Sequence, residues 1–221
     1  MKSKILLGAG ALLMLAHLYT IFFYVPTDAE TGIIQRIFYL HVPLAWNGFF
    51  AFFIVLVGSV MYLWKRDMKW DRLSSASAEI GFVFISLMLI IGCVWAKPVW
   101  GVWWVWDAKL TMSLVLWFIY AAYLLIRAYV TEDGQRARFC AVIGIIGFLD
   151  VPLLFLATRL WKTQHTGLIV FEGDLVPKMV LTLVAGIVAY TVLYVILLMK
   201  RIAIKDNQND VNILKNIVNG G

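Results

Sequence analysis

Two of the three histidines in this 221-residue chain, together with a run of tryptophans, mark where it could do chemistry. His41 stands in "RIFYLHVP" and His165 in "WKTQHTG". Between them lies "AKPVWGVWWVWDAKLT", Ala96 to Thr111, which carries Trp100, Gly101, Trp103, Trp104 and Trp106 and closes on Asp107. Two neutral imidazoles on opposite faces of a flat conjugated ligand are what bis-histidine haem iron requires. Indole faces stack on a porphyrin, and cations such as Arg36 and Lys97 can pair with its propionates. The pattern therefore points to non-covalent haem b, with His41 and His165 as the ligands of the iron and the tryptophan segment as a platform.

Plainer readings exist for each of these residues. Tryptophans at a membrane interface form belts, because the ring is apolar and its N–H wants a wet partner. Against the belt stands the density of four tryptophans in one short segment. At helical spacing Trp100, Trp103 and Trp104 share a face, which predicts a short amphipathic helix lying in the interface. Asp107 before "AKLT" is placed to cap a following helix whatever the segment binds. For either histidine alone, a hydrogen-bonded interfacial residue is the commoner role. The pair on one side favours ligation.

The elements that must position these residues are read from composition. The chain is 62% hydrophobic and 14% charged, with a mean hydropathy of +0.86, far from a soluble domain. A hydrocarbon core of about 30 Å needs about 20 apolar residues per helix. Six such stretches occur, roughly Ile5 to Val25, Val42 to Trp64, Ile80 to Ala96, Leu110 to Ile126, Phe139 to Thr158 and Met179 to Met199. The expected fold is an all-α integral membrane protein, a six-transmembrane-helix bundle over residues 1–199. Its tryptophan segment, 97–109, lies on the outer face, and residues 200–221 form a short polar cytoplasmic tail. The first stretch, behind Lys2 and Lys4, is longer than a signal-peptide core and is followed by no small-residue cleavage site, so it is expected to stay in the membrane.

Thirteen of the 19 Lys and Arg fall on the side holding both termini, which makes that side cytoplasmic and puts the tryptophan segment and both histidines outside. The net charge of +6 is then a topology signal, and nucleic acid need not be invoked. Pro43 is expected in the first turn of the second helix, where a missing N–H costs little. Cys93 and Cys140 lie at different depths, too far apart to bridge. His17, mid-span in the first helix, is expected to be neutral and bonded to a neighbouring helix. Asp150 in "GFLDVPLL" is the other intramembrane ionisable group, and Pro152 beside it suggests a kink. No C-x-x-C-H, phosphate-binding loop, H-E-x-x-H or G-x-S-x-G occurs, so an enzyme is not the expectation.

"WGVWWVWD", flanked by "RIFYLHVP" and "WKTQHTG", resembles the haem-handling membrane proteins with a tryptophan-rich WWD domain. Among these, the size and histidine contexts resemble the C component of cytochrome c maturation, the haem exporter protein C (CcmC) family, from about Gly32 to Met199. The resemblance implies that His41 and His165 are axial haem ligands. It implies that Trp100, Gly101, Trp103, Trp104, Trp106 and Asp107 form the platform for haem and chaperone, with Arg36 and Lys97 near the propionates. It further implies a periplasmic haem chaperone (the E component) as acceptor, a small membrane protein (D) as helper, and an ATP-hydrolysing transporter (A and B) that releases the loaded chaperone. Asp150 and His17 depart from the family pattern without touching the motif. Two rivals remain. A b-type haem electron-transfer subunit would need facing histidines inside the bundle, and a transporter or channel would need broken helices and midplane polar groups.

Overall fold

The computed structural model describes residues 2–161, 163 and 175–219. Among them six helices follow one another: α1 (Lys2–Tyr19), α2 (Phe38–Lys65), α3 (Met68–Trp100), α4 (Ala108–Tyr129), α5 (Asp133–Leu160) and α6 (Pro177–Asn219). A wider π turn, Thr20–Tyr24, lengthens α1, and a 3-10 turn, Ile33–Ile37, leads into α2. All six are long and apolar enough to cross a membrane, and no strand occurs among the described residues. The protein is an all-α, multi-pass membrane protein.

Lipid cannot satisfy backbone groups, so each span must bond its own backbone, and only the helix ends need outside partners. Acidic N-caps serve three of them. Asp67 accepts from the Lys69 amide at 2.9 Å, Asp107 from the Leu110 amide at 2.8 Å, and Glu132 from the Gly134 and Gln135 amides. At the far end of α3 the chain turns through Gly101, at φ +77°, whose amide closes on the Lys97 carbonyl at 3.0 Å.

Helix α2 is the centre of the bundle, in contact with α3, α5 and α6. Between apolar spans the hydrophobic effect adds little, so close packing of small residues decides the contacts. Ile85 of α3 packs against Gly48, where any side chain would collide with it, and Phe52 of α2 fills the space beside Gly81. Phe52 also stacks flat on Tyr120 of α4, with centroids 3.4 Å apart. Polar groups stitch the same interfaces: Ser77 donates to the Ala51 carbonyl at 2.7 Å and lies 2.8 Å from the Tyr194 hydroxyl. At the end of the bundle away from the tryptophans, Arg127 grips the buried carboxylate of Asp71 with two bonds of 2.7 and 2.9 Å. Glu79 there takes both Arg201 and Lys205.

Two boundaries differ from the sequence reading. Residues 68–79, expected as a loop, are the first three turns of α3, because Asp67 caps them and Ser74, Ser75 and Ser77 are buried in the bundle. Residues 200–219, expected as a tail, continue α6, because Arg201 and Lys205 reach Glu79 and Asp206 reaches Arg72 at 2.6 Å. Ion pairs at helical spacing let a polar stretch stay wound.

Candidate functional site

A cavity of about 320 Å³ opens at the end of the bundle where α2, α4 and α6 begin and α3 and α5 end. Its walls are overwhelmingly apolar, supplied by Trp46 and Phe49 of α2, Met88 of α3, Phe155 of α5 and Ile187 of α6. Over this floor stand Trp95 and Trp100 from the last turns of α3 and Trp103 and Trp104 from the segment beyond it. Trp95 meets Trp100 edge to face, at 5.3 Å and 86°. The few polar groups are His41, Lys109, Ser113, Cys93 and the indole N–H groups. An apolar recess with a small number of polar handles is the general form of a small-ligand site.

His41 is held in the fourth position of α2 and faces Gly92 of α3. A Cβ on Gly92 would lie 3.0 Å from the imidazole Cε1, so any larger residue there would press on the ring. Lys109 enters from the first turn of α4, which Asp107 caps. Asp107 does a second thing with its other oxygen: Oδ2 accepts from the Thr163 hydroxyl at 2.5 Å. One carboxylate thereby ties the tryptophan segment, the start of α4 and the chain beyond α5 together.

The structure brings His41, Trp100, Trp103 and Trp104 of the expected site into one cavity. Trp106 does not line it; this ring is 75% exposed and packs edge-on against Trp104 at 5.8 Å. Gly101 and Asp107 shape the segment instead of walling the cavity. Arg36 turns away, donating to the Phe22 carbonyl at 3.1 Å and so closing the end of the π turn after α1. Lys97 donates to the Gly101 carbonyl at 2.8 Å and fastens the turn after α3. His165 lies outside the described residues.

Two expectations need correction. Trp100, Trp103 and Trp104 do not share the face of an interfacial helix, because Gly101 ends α3 in the left-handed region and residues 101–107 run non-helical to the Asp107 cap. The tryptophans are thus free to point to different walls. Pro43 is not in the first turn: α2 already runs from Phe38, so proline interrupts an established helix. His17 is bonded across helices as expected, its Nε2 donating to the Tyr39 carbonyl of α2 at 3.1 Å. Cys93 and Cys140 are both free. Asp150 is buried, and its Oδ2 has no hydrogen-bond partner among the described residues.

Sequence reasoning missed Gly92, Trp46, Trp95 and the inward place of Lys109. Gly92 and the two tryptophans read as span and belt residues, and only the crossing of α2 and α3 distinguishes them. Lys109, two residues past the Asp107 cap, carried a signal: the first turn of a capped helix faces the loop before it.

Fold and site together define a multi-pass membrane protein with an indole-walled, imidazole-bearing ligand cavity at one end. The chain belongs to the heme exporter protein C family, whose profile matches residues 2–215. It is 34% identical over 160 residues to "Heme exporter protein C" of Escherichia coli strain K12, covering 72% of this chain and 64% of the relative. To the protein of the same description from Bradyrhizobium diazoefficiens it is 30% identical over 175 residues, 78% of this chain and 66% of the relative. A "Putative cytochrome c biosynthesis ccmC-like mitochondrial protein" of Marchantia polymorpha is 32% identical over 163 residues, 74% of this chain and 69% of the relative. The chain thus spans about two thirds of the length of these relatives.

Proposed function

We propose that this protein binds haem b non-covalently on the outer, periplasmic face of the cell membrane and hands it to a periplasmic haem chaperone for c-type cytochrome assembly. The observation that carries the reading is the cavity itself, in which one imidazole, one ammonium and five indoles surround an apolar recess of about 320 Å³. A porphyrin needs flat apolar walls, an iron ligand and a counter-charge for its propionates, and each is present. The Trp104 Nε1–H, buried and without a partner among the described residues, is a further donor suited to a carboxylate. The relatives' printed descriptions, as heme exporters and cytochrome c biosynthesis proteins, point the same way.

His41 holds the iron from the α2 side, and His165 is its second ligand. Thr163, two residues before His165 in sequence, is bonded to the platform's own Asp107. Lys109 takes a propionate, while Arg36 and Lys97, bonded to the Phe22 and Gly101 carbonyls on flanking turns, add positive charge near this end of the bundle without lining the cavity. Trp106 and Trp103, 75% and 58% exposed, offer the apolar surface on which the chaperone docks, with Gly101 giving the segment its bend. Work by ligand exchange asks for moderate affinity, and the chain itself catalyses no bond cleavage. A small D-type membrane protein and an A–B ATP-driven transporter are the partners in the membrane, with both termini of this chain in the cytoplasm.

The test is purification with and without the candidate chaperone, read by the haem spectrum. The wild-type chain is expected to carry haem b and to load the chaperone, and His41→Ala with His165→Ala to do neither. Normal loading by the double variant would refute the ligand assignment.

A further inference from the structure

We propose that His17 is a positioning residue for His41: its imidazole supplies the hydrogen bond that Pro43 denies to the Tyr39 carbonyl and so holds the turn that carries His41. In an α-helix the carbonyl of residue 39 is met by the amide of residue 43. Pro43 has no amide hydrogen, and its ring crowds that same carbonyl. Tyr39 is fully buried, and an unmet carbonyl away from water is costly.

His17 fills the vacancy from a different helix. Its Nε2 lies 3.1 Å from the Tyr39 oxygen, and since a carbonyl only accepts, the proton resides on Nε2. Nδ1 has no partner among the described residues, so the cross-helix bond is the ring's one polar contact there. The site is built for this ring. A Cβ on Gly186 of α6 would fall 2.5 Å from His17 Cε1 and 2.9 Å from Pro43 Cγ, so the glycine clears space for both partners at once. Tyr190 closes the pocket edge-on, 6.1 Å from the imidazole. Below the proline the turn is held too: Asn47 donates to the Pro43 carbonyl at 2.9 Å and accepts from Thr191 of α6 at 3.0 Å.

His41 sits midway between Tyr39 and Pro43, inside the loop that the missing bond would have closed. Its ring lies against Gly92, so a rotation of the turn would change where the ring stands in the cavity. The same bond docks α1, whose other faces are largely exposed, to the helix carrying the ligand. The inference rests on the reading of His41 as an iron ligand.

The experiment is a cycle of four proteins: wild type, His17→Phe, Pro43→Ala and the double variant. Pro43→Ala restores an amide to residue 43, so His17 becomes dispensable. Two quantities are read: the imidazole nitrogen resonances of His41 in the haem-free protein, assignable because the chain has three histidines, and the dissociation constant for added haem. His17→Phe is expected to move the His41 resonances and weaken haem by about tenfold, the loss of one buried hydrogen bond. The double variant should return both to the Pro43→Ala values, and His17→Gln, which keeps a donor, should recover part of the loss. Equal damage in single and double variants would mean packing alone and overturn the proposal, as would native resonances in His17→Phe. If His17→Phe fails to accumulate, the double variant must restore accumulation or the proposal falls. Haem titration unaffected by His41→Ala would instead overturn the ligand reading, while the resonance cycle still judges His17.

Discussion

Gly92 decides as much at this site as any polar residue. Its missing side chain is the space in which the His41 ring stands, with 3.0 Å between a notional Cβ and Cε1. Replacing it by valine overpacks the contact, a change that costs about 1–3 kcal/mol where the neighbour cannot retreat. On the proposed bracing of its turn by His17, the His41 ring has little room to give. Gly92→Val is therefore expected to weaken haem binding by at least about fivefold while membrane insertion is unchanged, measured by haem titration of the purified protein. Trp103 and Trp104 illustrate the same point from the other side. They are neighbours in sequence, yet Trp103 is mostly exposed and Trp104 has a buried indole N–H, because the chain between Gly101 and Asp107 is not helical.

At the level of elements, the tryptophan segment is a bracket between two helix ends. Gly101 stops α3, and Asp107 starts α4 while holding Thr163. Loss of an N-cap carboxylate costs about 0.5–2 kcal/mol. Asp107→Ala should lower thermal stability by that order, and it should also lower chaperone loading by more than the stability change accounts for, since the tie to Thr163 goes with it. Asp107→Asn keeps the cap acceptor and separates the two effects: stability near wild type with reduced loading is the expected result. Thermal unfolding in detergent and the yield of loaded chaperone are the measurements.

Over the whole molecule, the charged residues sort by the two ends of the bundle. The end opposite the cavity holds the Asp71–Arg127 pair, the Glu79 cluster and Arg72 with Asp206. By the positive-inside rule, the side richer in Lys and Arg is the one expected in the cytoplasm. Reporter fusions after Val105 should therefore signal the outer compartment, and fusions after Lys69 and Gln135 the cytoplasm. A cytoplasmic signal from Val105 would reverse the orientation and remove the periplasmic acceptor from the functional reading. Inside the bundle His17 is already committed at Nε2 to the Tyr39 carbonyl, which weakens the case for a second haem at depth and with it the electron-transfer alternative.

What the sequence by itself determined follows from short-range physics. Apolar length sets the number of spans, Lys and Arg counts set the expected orientation, and an aspartate before a helix sets a cap; none of these needs a neighbour from far along the chain. The tryptophan density and the flanking histidines were legible for the same reason. Helix ends were harder: α3 and α6 extend well past their apolar stretches because ion pairs between distant residues, Glu79 with Arg201 and Lys205, keep the polar turns wound. Only the tertiary structure decided which side chains share the cavity. Whether Lys109 faces in and Arg36 faces away, or whether a glycine in α3 makes room for a histidine in α2, depends on how helices cross, and crossing is set by packing between residues that the sequence holds far apart. The link from His17 to the turn of His41 is of that kind: a proline creates the need, and a helix brought alongside by folding meets it.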